Sequence, residues 1–423
     1  MKIYNLFPLL AGNFAQWAPH MERAADMGFD WIFVNPIQKT GESGSLYSTA
    51  DYFQINPLLV DSTSRKKPET QLKNVIAQAE KLGIHMMVDL VINHCAVDSD
   101  LVTKKPEWFV RDPGGGIAHP FCMEDGNKVI WRDLASFDHE HTSDAEGLYK
   151  YFYDIVEHLI KLGFHGFRCD AAYQVPTQLW HRLISDIKKN YPDTLFTAET
   201  LGCTPDQTVA TANGGFDFVY NSSKWWDFSS PWLMEQYALI SATVPSISFP
   251  ESHDTPRLLE DFDGNVDALK QRYLFSAIFS AGIMMPIGYE FGFRKALHVV
   301  NTRPHDWEET SIDLTGFIKD VNALKTNHPL FLEDGHSEIL NYDNPAILLM
   351  WKASRKTQDE ALFILNKDPW TRQHFYSDDL YNFVQSRKPL IDISPEYAMD
   401  YLPAPFDFEL APGMGRVFVT SRD

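Results

Sequence analysis

A recurring pattern of apolar and polar positions organises the first 170 residues of the chain. Three times, a stretch with helical character ends at a glycine and runs into a short, almost uniformly apolar segment, at 27–34, 82–89 and 162–168. Glycine is favoured where a helix ends in the left-handed conformation, and a uniformly apolar strand is buried on both faces. These repeated units predict a parallel sheet with helices packed outside it.

Five further apolar segments bring the number of predicted strands to eight. One opens the chain at 3–7, and the others lie at 195–198, 216–220, 246–249 and 283–287. Eight such strands with helices between them predict a closed (β/α)8 barrel, a TIM barrel, which takes about 250 residues. The 423 residues therefore accommodate the barrel and one smaller domain.

The alternation of helical segments and apolar strands is interrupted twice, and these interruptions predict the domain organisation. Residues 95–143 are rich in glycine and charge and lack helical periodicity, which is typical of an inserted subdomain, here after the third strand. Near the C-terminus the helical segments end, and strand-like segments follow at 346–351, 361–365 and 415–419. We therefore predict a barrel over 1–334, including the insertion, and a C-terminal all-β domain, a β-sandwich, over 335–423.

Composition and charge narrow the classes of partner. The net charge of −20 argues against nucleic acid, because binding nucleic acid requires cations against phosphates. No run of about 18 apolar residues is present, so we expect no membrane span. An N-terminus without a secretory signal favours a cytoplasmic protein. We expect reduced, structural thiols at the scattered cysteines Cys95, Cys122, Cys169 and Cys203. The sequence carries no signal of an oligomeric state.

Polar segments with carboxylates stand at the ends of four predicted strands, at 89–94, 167–170, 196–199 and 250–254. Active sites of (β/α)8 barrels form at these ends, and a buried carboxylate is costly unless it is paired or used. Retaining glycoside hydrolysis needs two carboxylates, and a third anion can stabilise the transition state. Arg168 lies two residues before Asp170, so both side chains point to the same side of the strand. We therefore expect Arg168 to lower the pKa of the Asp170 carboxyl.

In order and spacing, these segments resemble the conserved regions of the α-amylase family of glycoside hydrolases. The first matches the family pattern D-x-x-x-N-H at Asp89, Asn93 and His94. The second matches R-x-D at Arg168 and Asp170. The resemblance implies a (β/α)8-barrel enzyme that acts on α-glucans by a retaining mechanism.

The resemblance also implies the roles of individual residues. Asp170 is expected to be the nucleophile, Glu199 the general acid and base, and Asp254 the stabiliser of the transition state. The remaining matches are expected to bind substrate: Tyr47, Asp89, His94, Arg168, His253 and Arg257.

Departures from the family pattern bear on cofactors. Many calcium-binding amylases carry a Lys-His pair shortly after the nucleophile, whereas this chain has Ala171-Ala172-Tyr173-Gln174. Asn93 matches another calcium position of the family but does not by itself predict a site. We therefore expect no metal and no other cofactor, with calcium as the disfavoured alternative.

The three expected catalytic residues are common to hydrolases and transferases of the family. We predict hydrolysis of α-1,4-glucosidic bonds in an α-glucan or maltooligosaccharide, with transfer to a sugar or to phosphate as the alternative. The segments 288–293 and 303–307 resemble those of bacterial maltosyltransferases that use maltose 1-phosphate. Arg294 and Lys295 could contact phosphate, or could form a solvated pair of loop charges.

Two further classes stay open. A barrel that binds carbohydrate without catalysis is one, although all three carboxylates are present. A metal-dependent barrel enzyme is the other, but it needs three or four ligands, and the chain has no H-x-H or H-x-x-x-H spacing.

Four tryptophans are candidates for contact with sugar rings, which present flat apolar faces. Trp108 and Trp131 lie in the insertion, which would roof the cleft. Trp225 and Trp226 follow the sixth strand, where adjacent side chains face differently. Either both of these rings pack inside, or one packs and the other meets sugar.

Overall fold

The structure, a computed structural model, describes residues 1–124 and 127–421. At its centre is a closed barrel of parallel strands: β1 (Lys2–Leu6), β2 (Trp31–Val34), β3 (His85–Leu90), β4 (Gly166–Cys169), β5 (Leu195–Ala198), β6 (Phe218–Tyr220), β7 (Ser246–Ser248) and β8 (Gly282–Pro286). Each strand pairs with its neighbours in the sequence, and β8 pairs with β1. The eight predicted strands and their closure into a barrel are confirmed.

Eight helices follow the strands on the outside of the barrel: α1 (Ala18–Asp26), α2 (Pro68–Lys81), α3 (Ala145–Leu162), α4 (Thr177–Asn190), α5 (Pro205–Ala212), α6 (Trp232–Ile240), α7 (Val266–Phe279) and α8 (Thr315–Asn327). Shorter helices lie in the loops at Pro8–Ala11, Asp100–Lys104 and Leu258–Asp261. Gly163 takes φ 115° directly after α3, as the sequence pattern predicts. Within residues 1–124 and 127–421, no helix has the length and apolar character that a membrane crossing requires.

Side chains along each barrel strand point alternately toward the helices and into the barrel, and so form two apolar layers. Side chains such as Tyr4, Ile32 and Val88 face the helices and belong to the large core between sheet and helices. The opposite faces of the strands fill the interior with a second buried cluster: Ile3, Trp31, Phe33, Met87, Tyr220, Ile247, Phe249 and Met284. Because the interior is packed rather than open, polar chemistry is confined to the ends of the barrel.

Three antiparallel two-stranded sheets stand in the loops after β2 and β3. Their strands are Gln38–Thr40 with Thr49–Ile55, His94–Ala96 with Leu134–Ser136, and Phe121–Glu124 with Asn127–Ile130. The last two belong to the predicted insertion. Cys95, Cys169 and Cys203 are free thiols. The side chain of Cys122, expected to be a reduced thiol, lies outside the described part of the chain.

Seven antiparallel strands form the C-terminal domain: β9 (His336–Leu340), β10 (Ile347–Ala353), β11 (Asp359–Asn366), β12 (Gln373–Ser377), β13 (Ile391–Asp392), β14 (Phe406–Leu410) and β15 (Gly415–Ser421). Five of them form one sheet in the order β9-β10-β11-β15-β13, and β12 pairs with β14. A separate apolar core that includes Trp351, Phe375 and Phe418 fills this domain. The predicted all-β character of the domain is confirmed.

Buried charges connect the C-terminal domain to the amino end of the barrel. The carboxylate of Asp334 accepts hydrogen bonds from the backbone N–H groups of Ser246 (2.7 Å) and Ala281 (2.6 Å), at the starts of β7 and β8. The ammonium groups of Lys325 and Lys352 donate to backbone carbonyls at the end of α7. We call Lys325, Asp334 and Lys352 the basal cluster.

Candidate active site

The barrel itself places two of the predicted catalytic carboxylates. Asp170 and Glu199 are the first residues after β4 and β5. The backbone N–H of Asp170 donates to the carbonyl of Leu90, and that of Glu199 donates to the carbonyl of Cys169, each at 3.1 Å. These hydrogen bonds continue the pairing of the strands by one step. Both carboxylates are therefore fixed to the rim of the barrel rather than to a loose loop.

One guanidinium connects three carboxylates at this rim. Arg168 Nη1 lies 3.0 Å from both oxygens of Asp89 and 2.8 Å from Oδ1 of Asp170. Arg168 Nη2 lies 3.1 Å from Oε2 of Glu199. The arginine is buried, with 3% of its surface exposed. Three carboxylates around one buried cation leave an excess of negative charge, which is typical of a site rather than of a structural ion pair.

A second chain of contacts links buried Asp89 to exposed Asp254. The hydroxyl of Tyr47 lies 2.6 Å from Oδ2 of Asp89 and 2.6 Å from Nε2 of His253. The same ring nitrogen lies 2.9 Å from Oδ2 of Asp254, whose side chain is 47% exposed. Asn35 donates to the Tyr47 hydroxyl at 3.0 Å. Tyr47 and His253 thus orient Asp254 from behind.

These groups surround a pocket of about 390 Å³ at the carboxyl ends of the strands. Five of the predicted site residues line it: Tyr47, His94, Asp170, Glu199 and Asp254. Asp89, Arg168 and His253 lie directly behind the lining, each in contact with a residue that lines the pocket. The volume falls in the range of small-molecule sites, about 300–1,000 Å³.

Arg257, which was predicted to bind substrate, is not brought into the pocket. Its guanidinium donates to Oε1 of Glu251 at 2.7 Å and to the carbonyls of Ile287 (2.9 Å) and Lys295 (3.1 Å). The side chain is 1% exposed, and all of these partners are protein groups. In this structure Arg257 ties the loop after β7 to the loop after β8, so it supports the site from a distance.

Burial dominates the ionisation of the two rim carboxylates. It raises the pKa of Asp170 to about 7, although Arg168 acts in the opposite direction. It raises the pKa of Glu199 to about 7 in the same way. Arg168 lowers the pKa of Asp170 as expected, but the net pKa is raised because the loss of solvent outweighs the attraction of one shared cation.

Asp254 behaves differently from the two rim carboxylates. Desolvation alone would raise its pKa, but the charge of His253 and its hydrogen bond, together with Arg168, outweigh that effect and lower the pKa. Asp254 therefore stays ionised under conditions where Asp170 and Glu199 still hold protons. The pocket presents one permanent anion beside two carboxyls that titrate near neutral pH.

A strained residue follows the predicted nucleophile. Ala171 has φ 42° and ψ 43°, in the left-handed region that costs a residue with a side chain about 1–2 kcal/mol. In this conformation its backbone N–H donates to Oε2 of Glu199 at 2.7 Å. The strain thus coincides with a hydrogen bond that orients the predicted acid and base. No sequence signal identified this residue, because alanine rarely marks a left-handed position.

Several residues that line the pocket were not predicted as site residues: Ser45, Asp133, Leu134, Ala171, Tyr173, Gln174 and Val299. Asp133 and Leu134 follow the candidate Trp131 in the insertion. Tyr173 and Gln174 had been noted only because they replace the Lys-His pair of other family members. Nearness to an already suspected motif was the signal that could have found these four.

Residues 1–109 match the family model for the glycogen debranching enzyme, glucanotransferase domain. Across most of the chain, two α-1,4-glucan:maltose-1-phosphate maltosyltransferases are similar in sequence. The protein from Burkholderia pseudomallei is 23% identical over 87% of this chain, and the one from Myxococcus xanthus is 24% identical over 84%. The chain spans only 33% and 56% of the length of these relatives.

Solved structures match along the whole chain. The α-amylase from Geobacillus thermoleovorans aligns with a TM-score of 0.78 at 17% identity, covering 100% of this chain and 98% of that one. A maltogenic α-amylase from Thermotoga neapolitana aligns with a TM-score of 0.74 at 21% identity, covering 100% and 97%. The chain has the fold of the α-amylase family and is similar in sequence to enzymes of that family. The predicted resemblance is confirmed.

Asn93, which matches a calcium position of the α-amylase family, is engaged by a protein side chain. Its amide nitrogen donates to Oε1 of Gln174 at 2.8 Å. Gln174 belongs to the segment that replaces the Lys-His pair of calcium-binding amylases. In the described residues, no group of three or more His, Cys, Asp or Glu side chains is placed to hold a metal ion. The expectation that the protein needs no cofactor stays a prediction.

The four candidate tryptophans separate into two kinds. Trp108 and Trp226 are buried, and their Nε1 groups donate to Asp144 (3.0 Å) and to the carbonyl of Ser230 (2.6 Å). Trp131 lines the pocket and is 36% exposed, and Trp225 is 51% exposed. Trp131 and Trp225 thus remain available to a substrate.

Proposed function

We propose that this enzyme is a retaining glycoside hydrolase that cleaves α-1,4-glucosidic bonds with Asp170, Glu199 and Asp254. The observation that carries the proposal is the grouping of these three carboxylates around one pocket, two of them against the single guanidinium of Arg168. Retaining glycosidases use one carboxylate as nucleophile and a second as proton donor. This pocket supplies both, with a third carboxylate beside them.

In the first step, an oxygen of ionised Asp170 attacks the anomeric carbon while the bond from that carbon to the leaving oxygen breaks. Glu199 gives its proton to the departing oxygen, so a hydroxyl leaves and a glycosyl ester forms on Asp170. The pKa of about 7 suits Glu199 to this role, because burial keeps its proton in place near neutral pH.

In the second step, Glu199 is ionised and takes a proton from water while the water oxygen attacks the anomeric carbon. The ester bond to Asp170 breaks, and the sugar leaves with its original anomeric configuration. Asp254 keeps its negative charge where the sugar becomes positive in both transition states. His94 lines the pocket with a buried Nε2 that has no partner among the described residues, and we assign that nitrogen to a substrate hydroxyl.

We assign a neutral α-glucan or maltooligosaccharide as the substrate. Among the described residues, the lining of the pocket has carboxylates, neutral polar groups and the rings of Trp131 and Tyr173, but no Lys or Arg. Sugars have apolar faces that suit aromatic rings and hydroxyls that donate to carboxylates. The curated relatives carry α-1,4-glucan in their names, which supports the same linkage.

Transfer to a second sugar is the other candidate, and the maltosyltransferase names of the relatives favour it. The same two steps give transfer when a sugar hydroxyl replaces water. Phosphate as the acceptor has less support. Arg294 pairs with Glu260 at 3.2 Å and Lys295 pairs with Asp306, so both cations are engaged outside the pocket.

Product analysis after incubation with maltoheptaose, with and without inorganic phosphate, tests the proposal. Shorter maltooligosaccharides alone indicate hydrolysis, and products longer than the substrate indicate transfer to sugar. Maltose 1-phosphate formed only with phosphate would replace the hydrolase proposal with the phosphate alternative. No reaction in either tube, with the Asp170→Asn variant as the blank, would contradict action on α-1,4-glucans.

A further inference from the structure

The insertion after β3 contributes a carboxylate that the proposed reaction does not use. Asp133 lines the pocket together with Asp170, Glu199 and Asp254. Those three are bound by protein cations or by His253. None of the hydrogen bonds and ion pairs described within residues 1–124 and 127–421 involves the carboxylate of Asp133, whose charge acts on the buried ring of His94. Asp133 is therefore a carboxylate acceptor of the pocket without a hydrogen-bond partner among those residues.

The backbone of Asp133 is fixed although its carboxylate is free. Its carbonyl accepts from the N–H of Val97 at 2.9 Å and from the hydroxyl of Ser48 at 3.4 Å. A turn surrounds it, because the N–H of Leu134 donates to the carbonyl of Trp131 at 3.2 Å. A group held in place before binding loses little conformational freedom when a ligand arrives. This is the setting of a binding residue rather than of a solvated charge.

Trp131 and Asp133 together match the chemistry of a sugar ring. The indole is partly exposed in the same pocket, two residues before the carboxylate. An ionised carboxylate accepts hydrogen bonds at both oxygens, and such charge-assisted bonds are stronger than neutral ones. A sugar can lay its apolar face on the ring and donate neighbouring hydroxyls to Asp133.

A phosphate ester, unlike a neutral sugar, carries negative charge that the carboxylates of the pocket repel. It would enter a pocket whose described lining has four carboxylates and no Lys or Arg. The guanidinium of Arg168 behind the lining is already shared by three carboxylates. A free carboxylate repels a phosphate most strongly, because no local cation neutralises it.

We propose that Asp133 is a specificity-determining residue, which binds hydroxyls of a neutral α-glucan and excludes phosphorylated sugar donors. The inference rests on the proposed function and narrows its substrate class. It makes the free carboxylate of the insertion the feature that separates neutral from anionic substrates.

The test compares kcat/KM for maltoheptaose and for maltose 1-phosphate in the full chain and three variants. Asp133→Asn should lower kcat/KM for maltoheptaose about 10- to 100-fold, mainly through KM, since a hydrogen bond to a charged group is lost. The same variant should raise the use of maltose 1-phosphate relative to maltoheptaose. Asp133→Glu should keep the preference of the unaltered enzyme. Glu140→Gln, which removes an exposed carboxylate of the insertion, is the matched control and should change neither value.

The outcomes separate this inference from the proposed function. An active enzyme whose substrate ratio is unchanged in Asp133→Asn would overturn the role of Asp133 and leave the proposed function standing. Unaltered enzyme that turns over neither substrate would overturn the proposed function, and this inference with it. A melting temperature measured for each variant identifies any change that comes from misfolding.

Discussion

Two clusters of buried charge lie at opposite ends of the same barrel. In the basal cluster, Asp334 accepts from two backbone N–H groups, while Lys325 and Lys352 donate to backbone carbonyls. At the carboxyl end, Arg168 is shared by Asp89, Asp170 and Glu199. The first arrangement uses the backbone to satisfy each charge, and the second leaves negative charge in excess.

The difference also appears in the groups left without partners. Of the described polar atoms at the carboxyl end, the buried Nε2 of His94 has no hydrogen-bond partner, whereas none of the charged atoms of the basal cluster is in that position. A buried polar atom without a partner costs about 1–3 kcal/mol unless a ligand satisfies it. Buried charges therefore have different roles at the two ends of the barrel. At the amino end they hold two domains together, and at the carboxyl end they are available to a ligand.

The largest expected effect comes from the nucleophile. Asp170→Asn should lower kcat by about 10⁴-fold or more, because no covalent ester can form. The variant should fold and should melt higher than the unaltered enzyme at pH 8. Burial raises the pKa of Asp170 to about 7, so the folded state is destabilised as pH rises from about 4 through 7, and asparagine removes that penalty. Kinetics and thermal melts at pH 5 and pH 8 check both points, and near-normal activity in a folded variant would contradict the role.

A substitution in the basal cluster should lower stability and leave kcat unchanged. Asp334→Ala should lower the free energy of unfolding by about 3–5 kcal/mol, because it leaves buried N–H groups and lysine charges uncompensated. The kcat of the fraction that stays folded should be unchanged, since Asp334 lies at the other end of the barrel. Denaturant unfolding together with active-site titration measures the two quantities. A loss of kcat without a loss of stability would remove the contrast between the two clusters.

The pH dependence sharpens the account of the carboxyl end. Asp170 must be ionised and Glu199 protonated, so activity should fall below the pKa of the first and above that of the second. Since both values lie at about 7, kcat/KM should follow a narrow bell with its maximum near pH 7. With an activated aryl glucoside, Glu199→Gln should lose the alkaline side of the bell and keep the acidic side. A profile that is flat between pH 5 and pH 9 would contradict these assignments.

The smallest expected effect concerns Ala171. Glycine adopts its left-handed conformation without strain, so Ala171→Gly should change the free energy of unfolding by about 1 kcal/mol or less, with relief of strain opposed by a more flexible unfolded chain. The N–H bond to Glu199 remains, and kcat should stay within about threefold. Ala171→Pro removes that N–H and, because its ring fixes φ near −65°, the left-handed turn as well, so it should lower kcat and shift the alkaline side of the pH profile. An unshifted profile in a folded proline variant would show that the bond does not position Glu199.

The sequence predicted the barrel and the rim carboxylates because both depend on local patterns. A uniformly apolar segment that ends in a polar residue predicts a buried strand and a side chain at its end. Asp170 and Glu199 were found in this way. Arg257 matched a motif, yet its contacts depend on loops that meet only in the folded chain. Asp133 had only its nearness to Trp131 as a signal, and Ala171 had none, because their importance lies in an absent partner and in a backbone angle.

In the proposed mechanism, Asp170 forms a covalent bond to the sugar. The most direct measurement is mass spectrometry of the enzyme after incubation with an activated fluorosugar that forms the ester quickly and releases it slowly. We expect one added glycosyl group on the peptide that contains Asp170, and none in Asp170→Asn. A label on another carboxylate, or an active enzyme that hydrolyses the reagent without ever carrying a label, would contradict it.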